Sequence, residues 1–154
     1  IDPSAVTFLM DKLGKKPQEM ADFLNKESGV LGISGISSDM REVESAAQEG
    51  NERAQLALKM YKYRIKKYIG AYAAAMGGVD IIVWTAGVGE NQADVRLDSC
   101  TGLEFLGVKM DAEANNVHGE EAIISAPDSK VTVCVIPTDE ELMIAKDTMN
   151  LLQK

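Results

Sequence analysis

What this sequence has little of narrows it first. Its 154 residues include two cysteines, one histidine and four prolines. Cys100 and Cys134 stand in neither a C-x-x-C nor a Cys/His pattern. That argues against zinc, which needs several closely spaced soft ligands. Cys134 lies in the apolar run 131–136 and reads as a buried, inert thiol. Two thiols without a pattern suit a reducing, cytoplasmic setting. The single histidine, His118, sits in the acidic loop 111–121 with no second imidazole or thiol beside it. It reads as a surface residue, not a metal ligand or catalytic base. No apolar run approaches the ~20 residues of a membrane helix. The opening Ile1-Asp2-Pro3 lacks the charged-then-apolar pattern of a secretory leader. A chain opening on Ile, not Met, is expected to be a fragment, a processed chain or one with a missing start. Basic residues are outnumbered, 16 against 24 acidic, for a formal net charge of -8. The balance disfavours nucleic acid and anionic membranes as partners. A bound phosphate must then be held by local geometry and a few placed cations. There is no internal repeat and no low-complexity linker.

What is present is ordinary globular material, 45% hydrophobic and 26% charged. The length fits one domain or two small halves packed together, with enough chain for a core without staples. Asp2 followed by Pro3 is a helix start: Asp caps, and Pro suits the first helical position because its missing N–H has no helical partner there. That helix ends near Gly14, and Pro17 opens a second, short one. The stretch 28–38, SGVLGISGISS, keeps no 3.6-residue period and reads as a partly buried loop. Ser38 or Asp39 then caps a helix that runs to Gly50. Residues 51–76 form the longest periodic segment, with Ala54, Leu58, Tyr61, Ile65, Tyr68, Ile69 and Tyr72 at three- and four-residue steps. Its lysines fall between them, as on a solvated face with tyrosines at the core rim. Gly77-Gly78 ends this helical region, 1–78.

The α/β region, 79–154, begins with the most informative stretch, DIIVWTAGVGENQADVR at 80–96. A short apolar run breaks at Thr85-Ala86-Gly87-Val88-Gly89, and a helix is expected from about Asn91 to Ser99. Strand, glycine turn and helix start together make a common phosphate site: glycine admits close approach, and a helix start leaves N–H groups free. The turn matches neither the P-loop, having no Lys after Gly89, nor G-x-G-x-x-G. From the residues alone it is either a phosphate site or an ordinary βα turn. A short strand is expected at 123–126 and a β-branched strand at 131–136. Pro137 ends the latter, and Thr138 with Glu141 three residues on matches a capping box for a last helix. Leu142, Ile144, Ala145, Met149 and Leu152 give it candidate apolar positions. The fold class expected is α/β, a helical region laid before or against a small sheet.

Three blocks, LNKESGVLGISGISSDMRE, DIIVWTAGVGENQADVR and VIPTDEELMIA, occur in order and at matching separations. Together they resemble the acetokinase family of short-chain carboxylate kinases: acetate kinases with their propionate and butyrate relatives. The resemblance runs from Ile1 nearly to the end. It implies a ribonuclease-H-like fold of the actin/Hsp70/sugar-kinase superfamily, phosphate transfer between ATP and a short carboxylate, and Mg²⁺ (or Mn²⁺). It also implies that this chain is the C-terminal part of a longer kinase whose other catalytic groups lie upstream. No catalytic residue is therefore assigned here, and the piece alone is expected to be inactive. Carried over by position, Asp39, Met40 and Arg41 match a segment lining the adenosine pocket, where relatives often have an aromatic in place of Met40. Gly87, Val88 and Gly89 match the turn beneath the nucleotide phosphates, Asn91 a side chain facing the adenine, and Val95 its other wall. Glu140 matches a carboxylate at the metal site. Relatives often have Gly in place of Ala86 and Ile in place of Val88. The implied partners are ATP/ADP, acetate or acetyl phosphate, and a second copy in a homodimer. From the residues alone, Arg41 equally suits pairing with Glu42 or Glu44, and Glu140 equally suits favouring its helix N-terminus.

Overall fold

The computed structural model describes residues 1–153. The chain divides into two compact units, Ile1–Tyr61 and Lys62–Lys154. The division falls inside the long helix, not after residue 78 where the helical composition ends.

The first unit is helical. α1 (Pro3–Leu13) starts as its sequence dictates, with the Asp2 carboxylate accepting from the Ser4 N–H at 2.7 Å and Pro3 in the first turn. α2 (Pro17–Lys26) follows, with the Glu19 carboxylate accepting from the Lys16 N–H. The stretch expected to be a loop contains a third helix, α3 (Gly29–Ser34). Six residues rich in glycine and serine make a poor isolated helix. This one is fastened from outside: Arg53 donates to the carbonyls of Ile33 (2.9 Å) and Gly32 (3.3 Å), which a helix end leaves open. Gly35 closes it at φ +70, where a Cβ would meet the Arg53 guanidinium at 3.1 Å. α4 (Met40–Gln48) and the first part of α5 (Glu52–Met76) complete the unit. Its core is Val43, Ala54 and Ala57, packed by Val30, Ile33, Ala46, Ala47 and Leu58.

The second unit is α/β. The rest of α5 leads to β1 (Ile81–Trp84), α6 (Ala86–Asn91), α7 (Ala93–Cys100), a 3₁₀ turn (Glu104–Leu106), β2 (Ala122–Ile123), β3 (Thr132–Val135) and α8 (Glu140–Leu152). The sheet order is β1-β3-β2, with β1 parallel and β2 antiparallel to β3. Ile82 pairs with Val133 and Trp84 with Val135, and all four are buried; the alternate residues Ile81 and Val83 are exposed. The period of two thus sets one face against the core. Val95, Cys100, Leu103, Val108 and Ile124 fill the rest of the core. Lys62 joins α5 to α7 through Asp94 (2.6 Å) and Asp98 (2.8 Å).

Three local expectations are corrected here. The helix expected at about 91–99 is present as α7, but the turn expected before it is helical too, as α6, and the two are broken at Gln92. Cys134 is only half-buried, and it is Cys100 that is deeply buried, its thiol pushed up to about 11 by desolvation. The cap of α8 is Asp139, whose carboxylate accepts from Leu142 N–H at 3.0 Å. Thr138 is engaged elsewhere, and Leu142, Ile144, Met149 and Leu152 are all exposed.

Candidate nucleotide and metal site

The site starts where β1 ends. Thr85 is still extended, and Ala86 turns the chain at φ +58, the one positive φ at a non-glycine among the described residues. A left-handed backbone is costly for any residue with a Cβ. The glycine turn read from sequence is in fact the body of α6. Its two glycines do different work. A Cβ on Gly89 would lie 3.1 Å from the Trp84 carbonyl carbon, so Gly89 lets α6 lie close against the end of β1. A Cβ on Gly87 would meet nothing within 4 Å among the described residues, and Gly87 faces a cleft. Val88 lies between them, half-buried. Asn91 donates from its amide to the Gly87 carbonyl at 3.0 Å. Val95, on α7, is fully buried and offers a ligand no accessible surface.

The end of α6 is held by a residue the sequence did not single out. Arg96 is fully buried. Its guanidinium donates to Gly89 O (2.8 Å), Glu90 O (3.0 Å), Asn115 O (2.6 Å), Val117 O (2.8 Å) and Asn115 Oδ1 (2.9 Å). A helix C-terminus leaves its last carbonyls unpaired and carries partial negative charge, so a cation there satisfies both. The remaining carbonyls of α6 are met as well. Gly119 N–H donates to Glu90 O at 3.1 Å, and Gln92 N–H to Val88 O at 3.0 Å. His118 Nδ1 lies 2.9 Å from Asn91 O. Because that carbonyl only accepts, Nδ1 carries the proton. His118 is exposed, as expected, but it also closes this helix end.

The cleft, about 490 Å³, is lined by Ala86, Gly87 and Glu90 on one side and by 137–141 on the other. It therefore joins two of the expected site positions, Gly87 and Glu140. Glu90 accepts through Oε1 from both the N–H (2.8 Å) and the hydroxyl (2.7 Å) of Thr138. These bonds hold the Glu90 carboxyl below the usual carboxylate range. Asp139 is used as a cap, and Glu140 and Glu141 stand exposed in the first turn of α8. Among the described residues no three His, Cys, Asp or Glu side chains cluster as a metal cage. This donor set fits Mg²⁺ in its usual enzymic form, held by one or two carboxylates with waters and substrate phosphates completing the shell.

The other expected residues lie in the first unit. Asp39 caps α4, accepting from Arg41 N–H at 2.9 Å. Arg41 also donates to both Asp39 oxygens, from Nε (3.1 Å) and Nη2 (2.6 Å). Arg41 is thus paired with Asp39, and Glu42 adds a weaker electrostatic attraction. The side-chain hydrogen bonds from Arg41 lower the Asp39 carboxyl to about 2. The Arg41 side chain remains 86% exposed. Met40 is half-buried at the same helix start.

Comparison with known proteins now bears on these residues. The family model described as "Acetokinase family" matches residues 1–146. An acetate kinase of Phocaeicola vulgatus is 68% identical over 154 residues, all of this chain and 39% of that relative. The crystal structure of Porphyromonas gingivalis acetate kinase superposes with a TM-score of 0.89 at 57% identity, covering 99% of this chain and 38% of that one. A propionate kinase structure from Francisella tularensis gives a TM-score of 0.81 at 39% identity, over 94% of this chain and 37% of that one. The chain thus spans well under half the length of the relatives it matches, and the α/β, actin/Hsp70-like fold class expected from the sequence holds. A model match over 146 of 154 residues, in a structure that carries the glycine helix and the facing carboxylate, makes this chain a member of the acetokinase family.

Proposed function

We propose that this chain supplies nucleotide- and metal-binding residues of an acetate kinase, which moves a phosphoryl group reversibly between ATP and acetate to give acetyl phosphate and ADP. The observation that carries the reading is the cleft in which the open face of Gly87 meets the Glu140 carboxylate. Acetate is favoured over propionate because the acetate kinase of Phocaeicola vulgatus is 68% identical and the propionate kinase structure 39%.

Each residue has a defined task in this reading. Gly87, with no side chain in the cleft, admits the nucleotide phosphates to the start of α6; Val88 and Gly89 hold that helix in place. In the second unit Asn91 meets the base; in the first, Met40 offers the nucleotide a polarisable thioether. Val95 supports the adenine wall from within the core. Arg41 is exposed and permanently charged, and Asp39 orients it. Glu140 would hold a divalent cation such as Mg²⁺, which when bound would supply charge neutralisation for the phosphates. In the forward direction an acetate oxygen attacks the γ-phosphorus, the bond to the bridging oxygen breaks, and ADP leaves with the electron pair. This chain's residues bind, orient and neutralise charge, and the groups nearest the acetate belong to the rest of the kinase. A cytoplasmic setting fits the unpaired Cys100 and Cys134. A homodimer is supported by the exposed Tyr63, Tyr68, Tyr72 and Met76 along α5.

The test is acetyl phosphate formation by the complete kinase with ATP and acetate, propionate or butyrate in parallel. Acetate is expected to give the highest kcat/KM. The isolated 154-residue chain is expected to give no turnover, and turnover at the rate of the complete enzyme would overturn the division of labour.

A further inference from the structure

The β1–β3 ladder stops at the cleft. Its last bond runs from Ile136 N–H to Trp84 O at 2.9 Å. Pro137 follows and has no N–H to donate. Beyond it the two sides of the cleft are joined through the hydroxyl of Thr138. That hydroxyl lies 2.7 Å from Glu90 Oε1, 3.1 Å from Ala86 N and 3.2 Å from Thr85 Oγ1. The proton positions follow from the donor inventory. The Glu90 carboxylate only accepts, so the single Thr138 hydroxyl proton goes to it. Ala86 N–H only donates, so Thr138 Oγ1 accepts from it. The remaining lone pair of Thr138 Oγ1 accepts from Thr85, which must then be the donor. The hydroxyl is fully committed, one bond given and two received, and Thr138 N–H adds a second bond to the same Glu90 oxygen at 2.8 Å.

We propose that Thr138 and Glu90 are positioning residues that form a clasp fixing the Gly87 face of the cleft against the Glu140 carboxylate. The clasp is placed for this. Ala86 immediately precedes Gly87, and Thr138 is two residues before Glu140. It also restrains Ala86, whose left-handed backbone is the least favourable conformation in the turn. Glu90 contributes as an acceptor whose carboxyl, lowered by its Thr138 bonds, stays ionised. It acts neither as a general base nor as a metal ligand. The inference rests on the reading of the cleft as the nucleotide and metal site. What it adds is that nucleotide and metal affinity are set together, through one hydroxyl that touches neither.

The test uses the complete kinase with Thr138→Val, Thr138→Ser, Glu90→Ala and Glu90→Gln. Thr138→Val is nearly isosteric but has no hydroxyl. It should raise the KM for MgATP and the Mg²⁺ concentration for half-activation together, each on the order of tenfold, with the acetate KM unchanged. Thr138→Ser keeps the hydroxyl and should restore both. Glu90→Ala should follow Thr138→Val, and Glu90→Gln, which keeps an acceptor oxygen, should be milder. Hydrogen exchange at the Ala86 and Thr138 amides should speed up in Thr138→Val and not in Thr138→Ser, which reports the clasp independently of turnover. An active Thr138→Val enzyme with unaltered MgATP and Mg²⁺ dependence would overturn the clasp and leave the kinase reading standing. A parallel rise in the acetate KM would reassign Thr138 to general stability. An unmodified complete enzyme that phosphorylates no short carboxylate would overturn the kinase reading, and the positioning role with it.

Discussion

Two arginines, one in each compact unit, illustrate opposite uses of the same side chain. Arg96 is fully buried and spends its guanidinium on four backbone carbonyls and one side-chain amide. Arg41 is 86% exposed and holds only the neighbouring Asp39. Arg96 meets no carboxylate among those bonds, and burial pulls its pKa down from the ordinary arginine value. Its charge meets carbonyl dipoles at hydrogen-bond distance and the more distant attraction of Asp94. Arg41 carries its charge at the surface, where a phosphate or carboxylate has room to approach. The difference teaches that an arginine's charge can be spent inside the fold or kept at the surface. Arg96 holds the end of α6 in its own unit, and Arg41 leaves room for a ligand in its own.

The sharpest way to break that comparison is to neutralise each in turn. Arg96→Met leaves the carbonyls of Gly89, Glu90, Asn115 and Val117 unpaired in the interior. The expected loss is about 3 kcal/mol or more, read as a lowered urea midpoint. Arg41→Ala should leave that midpoint within reproducibility while raising the KM for nucleotide on the order of tenfold. Equal losses of stability in the two variants would erase the distinction.

The two glycines of α6 sharpen the same contrast between building and serving. Gly89→Ala pushes a methyl against the Trp84 backbone and should cost about 1–3 kcal/mol, visible in thermal unfolding. Gly87→Ala meets open space and gains helix propensity, so stability should hold or rise by up to about 1 kcal/mol. Its methyl stands in the cleft, so nucleotide KM should rise. A Gly87→Ala enzyme with unchanged nucleotide KM would remove Gly87 from the phosphate site.

The smallest effect concerns pH. The Asp39 carboxyl is lowered from 3.8 to about 2, first by its side-chain bonds to Arg41. A depressed carboxyl contributes stability that is present above its ordinary value and lost as pH falls through the folded one. Asp39→Asn should therefore flatten a small decline in thermal midpoint between pH 4 and pH 2, and leave the neutral-pH dependence alone. No flattening would mean that the Asp39–Arg41 pair is equally formed in the unfolded chain.

Features set by near neighbours were legible in the sequence. Asp2-Pro3 and Asp39 marked their helix starts because a cap acts within three residues. Strand β3 was legible from its β-branched run, and the three blocks carried the family. What depends on distant partners was not. α3 looked like a loop because its carbonyls are met by Arg53, about twenty residues on. Arg96 was not singled out, since its partners Asn115 and Val117 lie about twenty residues on in an irregular loop. Thr138 looked like a cap because its spacing to Glu141 matched one, whereas its real acceptor is Glu90, 48 residues earlier. The apolar positions of α8 were legible, but what would cover them was not. Such positions record burial in the whole molecule, and this chain spans 39% of the length of the relative it matches at 68% identity.

The strand order carries a consequence for how the molecule comes into being. β3 is the middle strand and the last of the three to leave the ribosome, and both β1 and β2 pair only with it. β1 ends at Trp84 and β3 begins at Thr132. At roughly 5–20 residues per second, translation leaves β1 without its neighbour for some seconds. Among the described residues β1 and β2 have no strand partner before β3 is made, so the cleft between 86–90 and 137–141 has no partly built stage. Its two walls arrive in a single late pairing event, and a chain stalled before residue 132 holds a glycine turn with nothing to face.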